Sequence, residues 1–196
     1  MDFGYFGYGS LVNTRTIPPQ TRYFACELKG WVREWRVCAT WNNELNTGVC
    51  ALTVRPEKNS NIKGLYVQDD YKNLQSLDER ESHYDRVQLP ENQVTVEAQN
   101  LIKNASYIYR ATPMFNQWGT AQHPILQSYI DCVLQGFFDF WGEAGIDHFM
   151  ESTRGWDSVP ILHDRKAPKY VRAQKCSDQL IALIDDYLNR YNVSYL

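Results

Sequence analysis

The sequence predicts an α+β fold on three observations: β-rich runs fill the chain from Gly4 to Arg110, one amphipathic helix interrupts them, and the pattern turns mainly helical after Pro113. Strands grouped before helices argue against a repeating βαβ sheet. The β-rich runs are Tyr5 to Tyr8, Val32 to Thr40, Gly48 to Val54, Gly64 to Val67, Gln93 to Val96 and Ala105 to Tyr109, each broken off by turn residues. Trp31, Arg33, Trp35, Val37, Ala39 and Trp41 alternate with Val32, Glu34, Arg36, Cys38 and Thr40, the period-two signature of a strand. Interleaved Trp and Arg also suit a stacking surface for single-stranded nucleic acid. One such strand in an acidic chain reads better as aromatic packing.

After Pro113, the stretch from Pro124 to Trp141 carries Leu126, Tyr129, Ile130, Val133, Leu134, Phe137 and Trp141 at helical spacing, with Gly142 placed to stop it. A last helix spans about Ser177 to Asn192, with apolar positions Leu180, Ile181, Ile184, Tyr187, Leu188 and Tyr191 and Ser177 as N-cap. No repeat or Gly/Ser linker divides the chain. Residues 1–196 are therefore expected to form one domain with a helical C-terminal extension from about residue 143.

Composition narrows the function classes. Of 196 residues, 43% are hydrophobic, 14% aromatic and 22% charged, a globular balance. Lys plus Arg number 20 against 23 Asp plus Glu, a net charge of -3, so the chain offers no basic field for nucleic acid or an anionic membrane. The N-terminal residues lack a secretory pattern, and no run of about 18 apolar residues occurs. A soluble cytoplasmic protein is expected.

Five cysteines (Cys26, Cys38, Cys50, Cys132, Cys176) contain no C-x-x-C pair, and each reads as a small buried hydrophobe. The histidines His83, His123, His148 and His163 never stand at the i, i+4 spacing of a helical metal site, so no metal is expected. A thiolate–imidazole pair of Cys132 with His123 or His148 finds no support in their spacing.

Two stretches carry chemistry. The first, Tyr5-Phe6-Gly7-Tyr8-Gly9-Ser10-Leu11, runs a strand into two glycines and a serine. It is not a dinucleotide fingerprint, because the third glycine would fall at Val12. It reads either as a plain turn or as a cradle of backbone N–H groups for a ligand oxygen, a neutral site suited to a carboxylate.

The second stretch, residues 69–81, predicts a helix with Asp70 as N-cap. Tyr71, Leu74 and Leu77 form its apolar stripe; Glu81 falls in that stripe, while Glu79 and Arg80 point away. A carboxylate facing the core, with Asp78 nearby at i−3, is pushed up in pKa and becomes a proton shuttle usable near neutrality. Alternatively the helix frays before position 81, leaving Glu81 a solvated end residue or a partner for Arg86.

The pairing of Tyr5-Phe6-x-Tyr8-Gly9-Ser10-Leu11 with Leu77-Asp78-x-Arg80-Glu81-x-x-Tyr84 resembles the γ-glutamylcyclotransferase superfamily, the ChaC type in particular. Leu28-Lys29-Gly30-Trp31-Val32-Arg33-Glu34-Trp35 is similar to that type's Gly-aromatic-x-Arg strand. Pro124-x-x-x-Ser128-Tyr129 with Gly136 is similar to its later helix. The resemblance covers about residues 3–142. It implies a small mixed β-barrel flanked by helices, no cofactor, and a small-molecule γ-glutamyl substrate: glutathione, a γ-glutamyl amino acid or a γ-glutamyl amine.

It further implies that the substrate's own α-amine attacks its γ-carbonyl, releasing 5-oxoproline. By the same match Glu81 is the acid/base, Phe6, Gly7, Tyr8, Gly9, Ser10 and Leu11 bind substrate, and Tyr84 and Tyr129 are candidate pocket residues. A non-catalytic protein of the same fold that binds a small carboxylate is the alternative. The tail holding Gly155-Trp156-Asp157 and residues 164–170 departs from the compact members, as a pocket wall offering Arg165 and Tyr170 or as a surface connection.

Overall fold

A computed structural model of the chain describes residues 2–42, 47–90, 93–96 and 105–196. The chain is α+β. Its strands are β1 (Asp2–Gly7), β2 (Arg22–Asn42), β3 (Thr47–Asp70), β4 (Tyr84–Leu89), β5 (Val94–Val96), β6 (Ser106–Ala111), β7 (Ile125–Leu126), β8 (Thr153–Arg154) and β9 (Ile161–Leu162). Its helices are α1 (Leu74–Arg80), α2 (Gln127–Trp141), α3 (Glu143–Glu151) and α4 (Asp178–Arg190).

One mixed sheet runs β4-β6-β1-β3-β2-β5, with β7, β8 and β9 joined at its side. β1 is central, antiparallel to β3 and parallel to β6, and every residue from Phe3 to Gly7 is buried. Phe3, Tyr5 and Phe6 therefore supply core on both faces, as a strand covered on both sides requires. Glycine is needed at Gly4, where a Cβ would lie 1.9 Å from the Tyr66 hydroxyl.

β2 and β3 form one long antiparallel ribbon whose register shifts at Lys29/Trp31, Trp35/Val37 and Thr40/Asn42. Such bulges bend and twist a ribbon. One half thereby joins β1 and β5, and the other reaches β7 and β8. The path of strands is not closed among the described residues.

Two expected short runs, Gly48 to Val54 and Gly64 to Val67, belong to this single strand β3. The intervening Pro56-Glu57-Lys58-Asn59-Ser60-Asn61 has turn-forming composition; its ends pair with β2, Pro56 with Trp31 and Asn61 with Lys29, and the register skips residues 57–60 between them. Trp31 and Trp35 are buried, which removes the nucleic-acid stacking surface; the Trp41 side chain lies outside those described. The extension after residue 143 is not purely helical, since β8 pairs with β2 and β9 with β7. Leu180, Ile184 and Leu188 of α4 bury into the same apolar cluster as the sheet. Cys26, Cys50 and Cys132 are buried as expected, whereas Cys38 and Cys176 are partly exposed. Among the described residues no helix is long and apolar enough to cross a membrane.

Candidate active site

The chain leaves β1 at Gly7 and turns at Gly9 (φ −124°, ψ −128°) into a 3₁₀ turn, Ser10–Val12, closed by the Val12 amide donating to the Gly9 carbonyl at 3.0 Å. The first amides of such a turn, those of Ser10 and Leu11, have no carbonyl partner within it. A Cβ on Gly9 would stand 2.9 Å from the Tyr129 hydroxyl and 3.4 Å from Leu52, so close approach rather than positive φ requires glycine there.

Helix α2 holds this loop from behind. Asn13 is fully buried; its Nδ2 donates to the Cys132 carbonyl (2.8 Å) and Gln135 Oε1 (2.9 Å), and its Oδ1 accepts from the Arg15 amide (3.2 Å). Gly136 lets the two backbones meet, since a Cβ there would lie 2.6 Å from the Asn13 nitrogen.

A fully buried cation, Arg33, also backs the loop. Its guanidinium donates to the Tyr8 carbonyl (3.4 Å), the Lys63 carbonyl (2.9 Å), Ser152 Oγ (2.6 Å) and Thr153 Oγ1 (3.1 Å), and lies over the rings of Phe137 and Phe149. Burial pulls its pKa down to about 9, still above neutrality, so it stays charged.

Asp70 caps the segment leading into α1, its carboxylate accepting from the Lys72 amide at 3.0 Å. That segment begins as a 3₁₀ turn, Tyr71–Asn73, and α1 itself ends at Arg80 with Glu81 as C-cap. A tight turn follows, in which the Tyr84 amide donates to the Glu81 carbonyl at 2.8 Å. Glu81 and Tyr84 therefore enter one pocket from the two ends of a turn.

Phe6, Tyr8, Gly9, Ser10, Leu11, Leu52, Glu81, Tyr84, Tyr109 and Tyr129 line one narrow cleft. Of the acid/base, substrate-binding and pocket residues that the resemblance implies, Gly7 alone does not line it. The Glu81 side chain is 17% exposed. Burial pushes its pKa up, against the opposing pull of the Arg80 and Arg172 guanidinium groups.

Arg80 does not point away as expected. Its Nε stands 3.2 Å from Glu81 Oε1, an ion-pair contact without hydrogen-bond geometry, and its Nη1 donates to the Thr16 carbonyl at 3.1 Å. Asp78 is not the neighbour that perturbs Glu81. It accepts from Tyr109 Oη (2.6 Å) and Arg86 Nη1 (2.7 Å), which also removes Arg86 as a partner for Glu81. Glu81 closes the helix as its C-cap, its amide still donating to the Leu77 carbonyl at 3.0 Å.

The other acids of the cleft are phenols. Burial raises Tyr8, Tyr84 and Tyr129 well above the ordinary tyrosine value, and burial with the Asp78 carboxylate raises Tyr109. The Tyr8 hydroxyl donates to the Tyr109 carbonyl (2.7 Å) and the Tyr84 hydroxyl to the Leu52 carbonyl (2.8 Å). Glu81 is thus the one side chain of the cleft that can exchange a proton near neutral pH.

The tail divides in its relation to this cleft. Asp164 accepts from the Ser128 amide (2.8 Å) and hydroxyl (2.6 Å) and the Lys169 amide (2.8 Å), fixing the tail to the start of α2. Arg165 is turned elsewhere, bidentate to Asp131 (2.7 and 2.8 Å) and bonded to Asp185 (2.9 Å). Tyr170 reaches the cleft's rim, its ring 5.0 Å from Tyr129 and next to Ser10. Tyr109, Leu52 and Arg172 are site residues that no sequence pattern marked. Tyr109 and Leu52 come from strand pairing, and Arg172 from the tail's return across the loop.

No protein-family model and no curated protein sequence matches the chain. Solved structures do. A γ-glutamyl cyclotransferase aligns at 17% identity over 95% of this chain and 99% of its own, with a TM-score of 0.57. An uncharacterized protein from Homo sapiens aligns at 17% identity over 94% of this chain and 98% of its own, TM-score 0.50. YkqA from Bacillus subtilis aligns at 14% identity over 79% of this chain and 56% of its own, TM-score 0.51. With its central β1, the turn at Gly9 and α2 packed behind that turn, this chain has the γ-glutamylcyclotransferase fold.

Proposed function

We propose that the chain is a γ-glutamylcyclotransferase, converting a γ-glutamyl amide to 5-oxoproline and a free amine, amino acid or peptide. The observation that carries this reading is the Glu81 carboxyl, buried with raised pKa in a cleft whose other acids are phenols held neutral.

An α-amine is an ammonium near neutral pH and attacks nothing until it loses a proton. Glu81 as carboxylate takes that proton, and the freed amine attacks the γ-carbonyl carbon of the same molecule. A five-membered ring closes, and the tetrahedral carbon breaks its bond to the leaving nitrogen. The protonated Glu81 returns its proton to that nitrogen, the ring nitrogen sheds its second hydrogen as a proton to solvent, where the departing amine can take it up, and the enzyme ends as it began. Nucleophile and carbonyl belong to one molecule, and orienting them exploits effective molarities of roughly 10⁵ M or more, so no covalent enzyme intermediate is needed.

The turn at Gly9 to Leu11 binds the glutamyl moiety in this reading. Its amide donors suit the α-carboxylate or the developing oxyanion, with the Arg33 charge behind Tyr8 favouring either anion. The test is release of 5-oxoproline from glutathione, γ-glutamyl-alanine and a γ-glutamyl amine. Activity on at least one, abolished by Glu81→Gln, supports the reading; an inert wild-type protein across the panel refutes it.

A further inference from the structure

The long ribbon sets two cysteines face to face. Cys38 of β2 is the register partner of Cys50 of β3. Their amides donate away from each other, Cys38 N–H to the Phe115 carbonyl at 3.0 Å and Cys50 N–H to the Pro124 carbonyl at 2.8 Å. They therefore form a non-hydrogen-bonded pair, in which Cα atoms approach to about 4.5 Å and both side chains rise on one face. Disulfides span Cα separations of roughly 4.4–6.8 Å.

The thiols interact directly. Burial raises the Cys50 thiol, which stays protonated and donates to the Cys38 sulfur; that donation lowers Cys38 below its ordinary value. Burial of the Cys38 sulfur opposes this shift, and its thiol donates toward the carbonyls of Gln117 (3.2 Å) and Trp118 (3.3 Å). Cys38 is partly exposed in a surface cleft of about 860 Å³ shared with Thr40, Phe115, Gln117 and His123, while Cys50 is buried behind it. One exposed thiol with one buried resolving thiol is the arrangement of a redox-responsive pair.

We propose that Cys38 and Cys50 form a reversible redox-modification site, which reacts with low-molecular-weight disulfides and closes an intrachain disulfide between β2 and β3. The Cys38 thiolate attacks one sulfur of the small disulfide, whose S–S bond breaks and releases one small thiol. Cys50 then loses its proton and attacks the Cys38 sulfur, expelling the second small thiol. Two protein thiols are oxidised and one external disulfide is reduced to two thiols. The cleft gives the transient mixed disulfide room. Cys50 lies two residues before Leu52, which walls the Glu81 cleft and whose carbonyl accepts from the Tyr84 hydroxyl.

Hydroxyethyl disulfide carries no γ-glutamyl group, so it tests the pair independently of how the Glu81 cleft is used. On reduced full-length protein, free thiols should fall from five to three and the mass by two hydrogens. Peptide mapping should join Cys38 to Cys50, and dithiothreitol should reverse the change. Cys50→Ser should stop at a mixed disulfide on Cys38, and Cys38→Ser should keep its thiols over the same exposure. Retention of all five thiols, arrest of the wild type at the mixed disulfide, or a bond between the neighbouring Cys132 and Cys176 would each overturn the proposal. Mapping of the wild type decides the matter even where a variant folds poorly.

Discussion

Replacing Glu81 by Gln keeps the side chain's shape and removes its ability to carry a proton, so it separates chemistry from architecture. The deprotonation of the α-amine and the protonation of the leaving nitrogen both pass through this carboxyl, and no neighbour can substitute. The cleft's phenols are held neutral by burial, and those of Tyr8, Tyr84 and Tyr109 already donate to the Tyr109 carbonyl, the Leu52 carbonyl and Asp78. Removing a positioned acid/base costs about 10²- to 10⁴-fold in rate, about 2.7 to 5.5 kcal/mol of barrier. The upper part of that range is expected here, measured as kcat/KM for 5-oxoproline release.

Stability should move the other way. Burial outweighs the two nearby guanidinium groups and raises Glu81, so its charged form is disfavoured in the fold. The wild type is therefore penalised above the ordinary carboxylate range and relieved as pH falls through the raised pKa. Glu81→Gln should unfold at a higher temperature than wild type at pH 8, the difference shrinking toward pH 4. The rate, which needs the carboxylate, should fall with acid through that same raised pKa rather than at about 4.3. A variant retaining activity within about tenfold, or an acid limb at the ordinary carboxylate value, would refute the assignment.

Gly9→Ala should raise KM about tenfold, or ~1.4 kcal/mol, because its Cβ meets Tyr129 and Leu52 at the cleft wall. Equal KM values for variant and wild type would remove the turn from substrate binding. Gly136→Ala should destabilise by about 1–3 kcal/mol despite alanine's helix propensity, because the Cβ meets backbone atoms of Asn13 and Val12 at 2.6 to 2.8 Å. Denaturant midpoints measure this, and a stabilised variant would contradict the packing. His148 Nε2 accepts from the Lys63 amide at 3.0 Å, and burial with the Arg33 and Lys63 charges lowers its pKa from 6.5 to about 4. Its contribution should be present above pH 6.5 and lost as pH falls toward 4. His148→Gln should flatten the unfolding profile in that window.

Much of the site was legible because its chemistry is local. A strand running into Gly-Tyr-Gly-Ser and a carboxylate at the end of an apolar stripe are short-range patterns, and the family resemblance joined them. The helical stripes of α2 and α4 emerged for the same reason. The sequence reading misplaced residues whose neighbours come from afar. Asp78 sits three residues from Glu81 yet bonds to Tyr109, and Arg80 stands beside Glu81 while its Nη1 donates to the Thr16 carbonyl, a partner 64 residues away. The turn-like stretch 56–61 does not end β3 because its two ends, Pro56 and Asn61, pair with Trp31 and Lys29 of β2 on either side of a bulge, a condition no local propensity records.

What the chain marked by itself were the elements with a clear period, β1, β2, the two ends of β3, β5, β6, α1, α2 and α4, and a candidate acid at Glu81, since period, turn chemistry and residue type are written locally; β4, α3 and the short β7 to β9 carried no such signal. Tertiary structure decided the electrostatics. Burial raised Glu81 and silenced the tyrosines, strand β3 brought Leu52 and strand β6 brought Tyr109 to the cleft, and the returning tail set Arg172 near the carboxyl. A pKa depends on the surroundings of a charge in three dimensions, and those surroundings come from segments far apart in the chain, as the Tyr8 to Tyr109 hydrogen bond spans 101 residues.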